Sequence, residues 1–206
     1  MTTAHFELLV EEPSMEAFLR ALLPRLLPQN RTFEVHAFQG KDDLLGKLEA
    51  RLRGYAAWLP ADWRILVVVD RDDEDCLRLK QRLENASHRA GLRSRTRAGA
   101  DLPWQLVNRI AIEELEAWYF GDWSAVRAAY PRLPSTIPNQ QRYRDPDAIA
   151  GGTWEAFERI MQRHGYFKGG LRKIEAARLL GGVIEAGRNR SASFCRFRDA
   201  LLEAVE

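Results

Sequence analysis

The chain has 206 residues, 46% of them hydrophobic, and its 31 Lys or Arg against 29 Asp or Glu give a formal net charge of +2. That length suits one sizeable core with or without a smaller appendage, and the near balance of charge excludes a protein that binds polyanions by bulk charge alone. No apolar run approaches the roughly 20 residues that a membrane-spanning helix needs.

Met1 to His5 lead straight into a strand-like segment without the basic and apolar regions of a signal peptide, so the expected location is cytoplasmic, away from any membrane. Residues 6–11 read as that strand, ending on Glu11. Glu12 and Pro13 break it, and Ser14 is placed to cap a helix carrying Phe18, Leu19, Leu22 and Leu23 at helical spacing. Residues 32–38 alternate as a second strand, and Leu44, Leu45, Leu48, Leu52 and Tyr55 make the apolar side of a second helix. The run 65–69 has no polar alternation and is rich in β-branched residues, which fits a strand buried on both faces of a parallel sheet. Cys76, Leu79, Leu83, Ala86 and Ala90 follow at helical spacing before Gly91. Strand, helix, strand, helix, strand, helix argues for a mostly parallel sheet flanked by helices.

The buried run ends abruptly on acids, from Asp70 to Asp75. Ligands of open α/β sheets bind beyond the carboxyl ends of the strands, which is where Asp70 falls. In an extended backbone Asp72 points to the same side, so the two carboxylates would meet at one point and repel unless a proton or cation intervenes. Mg²⁺ or Mn²⁺ suits oxygen donors of this kind. Asp73, Glu74 and Asp75 are more simply read as favouring the positive end of the next helix. Cys76 and Cys195 show no metal-ligand spacing and are expected as buried thiols, and the four histidines are scattered, with no zinc pattern.

Arg93, Arg95 and Arg97 stand at period two, as on one face of a strand. They would either meet successive phosphates or protect a sheet edge. Residues 106–112 read as a further strand leading to Glu113, Glu114 and Glu116. If a helix begins there, Glu113 and Glu116 share a face, either as ligands or as acids favoured by the helix dipole. Residues 131–153 read as a long irregular connection, followed by helices over 154–164 and 171–180 and one from near Ser193. This divides the chain into an α/β part, 1–130, and a helical C-terminal part, 131–206. Arg172 and Lys173 belong to a C-terminal stretch with ten Lys or Arg between Arg159 and Arg198, a candidate nucleic-acid surface.

Glu11 at one strand end and Asp70-Arg71-Asp72 at another, with a βα order between them, resemble the Toprim fold of topoisomerases, primases and the overcoming-lysogenization-defect nucleases. Val10 to Ser14, Val69 to Asp72, Ile112 to Trp118, Tyr166 to Lys168 and Ser191 to Phe194 resemble more closely the bacterial domain-of-unknown-function family 4276, described as Toprim-like. The resemblance implies a Toprim-like (Rossmann-like) fold with Glu11, Asp70 and Asp72 holding divalent metal. It further implies a Mg²⁺-dependent nuclease acting on nucleic acid, in phage defence with a partner protein. Glu113 or Glu116 would complete the site, and Lys168 would stabilise charge on the phosphorus oxygens. Where Toprim proteins usually carry Gly this chain has Glu12, and where related nucleases often carry an acid it has Met15. A non-catalytic nucleic-acid or partner-binding module with a degenerate site is the alternative.

Overall fold

The computed structural model describes residues 3–99 and 103–205. Four strands, β1 (His5–Val10), β2 (Thr32–Ala37), β3 (Trp63–Asp70) and β4 (Leu106–Ala111), form one sheet in the order β2-β1-β3-β4, all parallel. Helices α1 (Pro13–Leu26), α2 (Lys41–Ala56) and α3 (Cys76–Arg89) link them, and α4 (Arg95–Ala98) is a single turn before β4. Beyond β4 come α5 (Glu116–Gly121), α6 (Trp123–Ala129), three short 3-10 turns over 137–148, α7 (Thr153–Arg163), α8 (Lys173–Gly181) and α9 (Ala192–Val205).

The apolar runs in β1 and β3 are continuous because both faces of the sheet are covered. Phe6, Leu8 and Val10 of β1, with Leu66 and Val68 of β3, pack with Phe18 and Leu22 of α1 and with Trp118, Phe157, Phe194 and Phe197 from the C-terminal helices. The alternate residues Leu9, Ile65, Val67 and Val69 meet Leu44, Leu48 and Leu52 of α2 and Leu79 and Leu83 of α3. Phe157, Phe194 and Phe197 belong to the core, Tyr166 packs half-buried against it, and residues 131–153 are tied down by buried Ile137, Tyr143 and Ile149. No helix among the described residues is long and apolar enough to cross a membrane.

Several local expectations change. Ser14 is not the cap of α1: that position is Glu12, and the Ser14 hydroxyl donates to the Glu12 carboxylate. Residues 92–97 do not form a strand. Ser94 accepts from the Arg97 N–H and starts the α4 turn, so the arginine row is broken. Arg95 pairs with Glu203 at 2.6 Å, and Arg93 donates to the Pro103 carbonyl. Ser94 bridges to Leu106, which itself lies opposite Ile65. The arginines therefore sit toward the amino ends of the strands, about 16 Å from Asp70 along β3.

Candidate metal centre

The chain leaves β1 for β2 through α1 on one face of the sheet and returns from β2 to β3 through α2 on the other. The carboxyl ends of β1 and β3 thus flank the point where strand order reverses, the place where such sheets form a ligand crevice. Glu11 directly follows β1 and Asp70 closes β3. The Asp70 N–H donates to the Glu11 carboxylate at 3.1 Å, which fixes the two strand ends together.

Burial dominates the electrostatics. Asp70 is 6% exposed and its Oδ1 has no hydrogen-bond partner. Loss of water raises its pKa well above the ordinary 3.8, and the charges of Glu11 and Glu116 raise it further. Burial also pushes Glu11 from 4.5 up to about 7, against the Asp70 N–H and the Lys41 charge, which lower it. Glu116, in the first turn of α5 and 3% exposed, is pushed up by burial to about 8, against the opposing charge of Lys173. Three acids with raised pKa values, crowded under a few cations, favour either bound protons or a bound cation.

The other predicted ligands are placed differently. Asp72 does not continue the extended strand: its φ is 48° and its carboxylate accepts from the Lys41 ammonium at 2.6 Å. Strand β3 ends at Asp70, so the two-residue period no longer applies at Asp72. Glu113, with φ 63°, stands before α5, so the shared helix face with Glu116 does not exist. Its side chain pairs with Arg71, and its carbonyl accepts the Asp72 N–H at 2.9 Å. Two non-glycine residues in the left-handed region thus meet across the crevice, a concentration of backbone strain typical of ligand sites. Glu114 accepts from Thr153 Oγ1 and the Trp154 N–H, which holds the start of α7.

Lys168 is exposed in the loop after α7 and makes no hydrogen bond or ion pair among the described residues. The lysine set against the acids is Lys173, whose pKa is affected most by burial, which lowers it, and is raised overall by Glu116, Glu12, Glu114 and Asp70. Its ammonium also lies 5.0 Å over the Trp154 ring. Arg172 beside it is exposed and pairs with Glu175 at 3.1 Å. Sequence reading missed Lys41 and Tyr119. Lys41 follows Gly40, whose N–H donates to the Glu11 carbonyl at 3.0 Å, so its position at the carboxyl end of β2 was the available signal. Tyr119 is buried with an unpartnered hydroxyl, and burial with the neighbouring Glu116 and Asp70 charges raises its pKa.

Among the described residues, no group of three or more His, Cys, Asp or Glu side chains is closed tightly enough to hold a metal ion as it stands. The donor set nevertheless fits a hard cation in kind: buried carboxylate oxygens, one of them unpartnered, with raised proton affinity. Glu11 and Asp70 would be the ligands, with Glu116 nearest in charge.

This is an α/β protein with a four-stranded parallel sheet and an acidic crevice at its topological switch point. Residues 10–202 match the model described as Domain of unknown function (DUF4276), and the chain belongs to that family. No curated protein and no solved structure matches it.

Proposed function

We propose that the protein is a Toprim-like, Mg²⁺- or Mn²⁺-dependent phosphodiester hydrolase acting on nucleic acid, and that it serves phage defence beside a partner protein. The observation that carries this reading is Asp70, a buried carboxylate with an unpartnered oxygen at the end of the central strand, against Glu11 and near Glu116. A bound divalent ion would supply Lewis-acid polarisation of the phosphoryl group and a water of lowered pKa. Glu11 and Asp70 would bind and orient it; Glu116, kept mostly protonated at neutral pH by a pKa of about 8, can donate a proton to the leaving oxygen. Lys173 and Lys41 bring positive charge from two sides toward the substrate phosphate.

The test is cleavage of single-stranded and duplex DNA and RNA with Mg²⁺ or Mn²⁺, comparing wild type with Asp70→Asn. Cleavage by the wild type and a loss of at least about a hundredfold in the variant are expected. Equal cleavage by both, or none by the wild type with either metal, would sink the reading.

A second reading, a binding module with a degenerate site, is favoured by one feature: Asp72 is engaged by Lys41 instead of joining Asp70. It predicts salt-sensitive nucleic-acid binding, weakened by charge reversal at Arg172 and Lys173, without cleavage at any metal concentration.

A further inference from the structure

A second polar centre lies outside the acidic crevice. On the parallel pair β1 and β2, Glu7 is 6% exposed and accepts from three side chains. His36 Nε2 approaches one carboxylate oxygen at 2.6 Å, the Tyr55 hydroxyl donates to the same oxygen at 2.8 Å, and His5 Nε2 lies 3.3 Å from the other. His5 is held from behind by Thr32 at 2.6 Å and by the Trp63 ring at 3.9 Å. These contacts satisfy the Glu7 carboxylate and lock the surrounding side chains in place.

Above this floor opens a recess of about 200 Å³ lined by Glu7, His36, Arg51, Gly54, Tyr55 and Trp58. It is smaller than the roughly 300 Å³ at which drug-sized sites begin, and suits a single ring system. Three groups at its mouth keep a face or an atom free. Trp58 is 55% exposed, an uncommon state for a tryptophan, and is steadied edge-on by Trp63 at 5.5 Å. Arg51 donates one hydrogen bond, to Tyr55 at 3.3 Å, and forms no ion pair among the described residues. His36 is engaged through Nε2, with Nδ1 making no hydrogen bond among the described residues.

A fixed aromatic face beside an unpaired guanidinium is the combination that takes a flat base and its phosphate together. The recess is also in reach of the acidic crevice, since Glu7 precedes Glu11 by four residues, about 13 Å of extended chain. We infer that the recess seats one unpaired nucleotide of a single-stranded substrate, its base on Trp58 and its phosphate on Arg51, with His36 Nδ1 open to accept from the base or sugar. That the strand is a substrate rests on the nuclease reading; that it binds rests on the recess alone. A base inside a duplex is stacked on its neighbours and cannot reach Trp58, so the site selects single strands.

The test is metal-free fluorescence anisotropy with labelled dA12 and rA12, their duplexes, and AMP as competitor, using wild type, Trp58→Ala and Gly54→Leu. Gly54 is helical and a Cβ there meets nothing within 4 Å, so leucine fills the recess without disturbing the backbone. Expected are at least about tenfold tighter binding of one single strand than of its duplex, and about a tenfold loss in each variant, the scale of one stacked base. Unchanged affinity in both variants overturns the inference, as does equal binding of duplex or AMP binding as tight as the oligonucleotide. Because the assay contains no metal, an inactive wild type with Trp58-dependent strand binding removes the nuclease reading and leaves the recess standing. Cleavage by a wild type whose binding ignores both variants does the reverse.

Discussion

Glu116 offers the sharpest handle on the acidic crevice. Its pKa rises from 4.5 to about 8, with burial as the first cause. A carboxyl group whose folded pKa is raised binds its proton more tightly in the folded state. Its contribution is therefore favourable below the unfolded value and is lost progressively as pH rises from about 4.5 toward about 8. Between pH 5.5 and 8.5 the change, at about 1.4 kcal/mol per pKa unit, is on the order of 3 kcal/mol, a substantial part of a typical domain's stability. Glu116→Gln replaces the titrating group by a neutral one of the same shape, with roughly 1 kcal/mol of hydrogen-bond loss that is independent of pH. Urea unfolding of both proteins in EDTA at the two pH values reads the difference directly. The wild type should weaken relative to the variant by about 3 kcal/mol at the higher pH, or some 6–12 °C in Tm for a chain of this length. Parallel pH dependence in the two proteins would refute the burial argument for this residue.

Further outcomes follow from other contacts. Lys41→Met removes a charge that lowers the Glu11 pKa and frees Asp72, so the Glu11 carboxyl should titrate above about 7 in carbon-detected NMR; an unchanged midpoint would detach Lys41 from the crevice. Glu114→Ala leaves the Trp154 N–H and the Thr153 hydroxyl at the start of α7 without an acceptor and should cost about 1 kcal/mol in urea unfolding; no effect would mean that water replaces the carboxylate fully. Gly181→Ala drives a methyl group against the Phe18 carbonyl where α8 crosses α1, and should cost roughly 1–3 kcal/mol; neutrality would mean that the two helices separate freely.

The sheet was legible because hydrophobic patterning at a strand buried on both faces leaves few alternatives: the runs through Leu9 and Val67 match observed strands. Glu11 and Asp70 were legible for the same reason, since the end of an apolar run marks the carboxyl edge of the sheet. Asp72 and Glu113 were not, because left-handed backbone at non-glycine residues carries no mark in the sequence. The arginines at 93, 95 and 97 misled through their period, which a single serine cap at Ser94 overrode. Lys173 in place of Lys168, and the meeting of His5 and His36 at Glu7, depend on packing between segments far apart in sequence. No local pattern encodes them. Ser191 and Ser193 carried part of the family resemblance, and their role is structural: Asp147 accepts from both hydroxyls and from the Ser193 N–H at the start of α9.

On the proposed function, the acids at the ends of β1 and β3 hold a divalent cation. Calorimetric titration of Mn²⁺ and Mg²⁺ into wild type and Asp70→Asn at pH 7.5, repeated in two buffers of different ionisation enthalpy, tests it most directly. Binding by the wild type with release of protons is expected, because Glu11, Asp70 and Glu116 all have raised pKa values, with at least about tenfold weaker binding by the variant. Equal affinity in the two proteins, or binding without proton release, would contradict it.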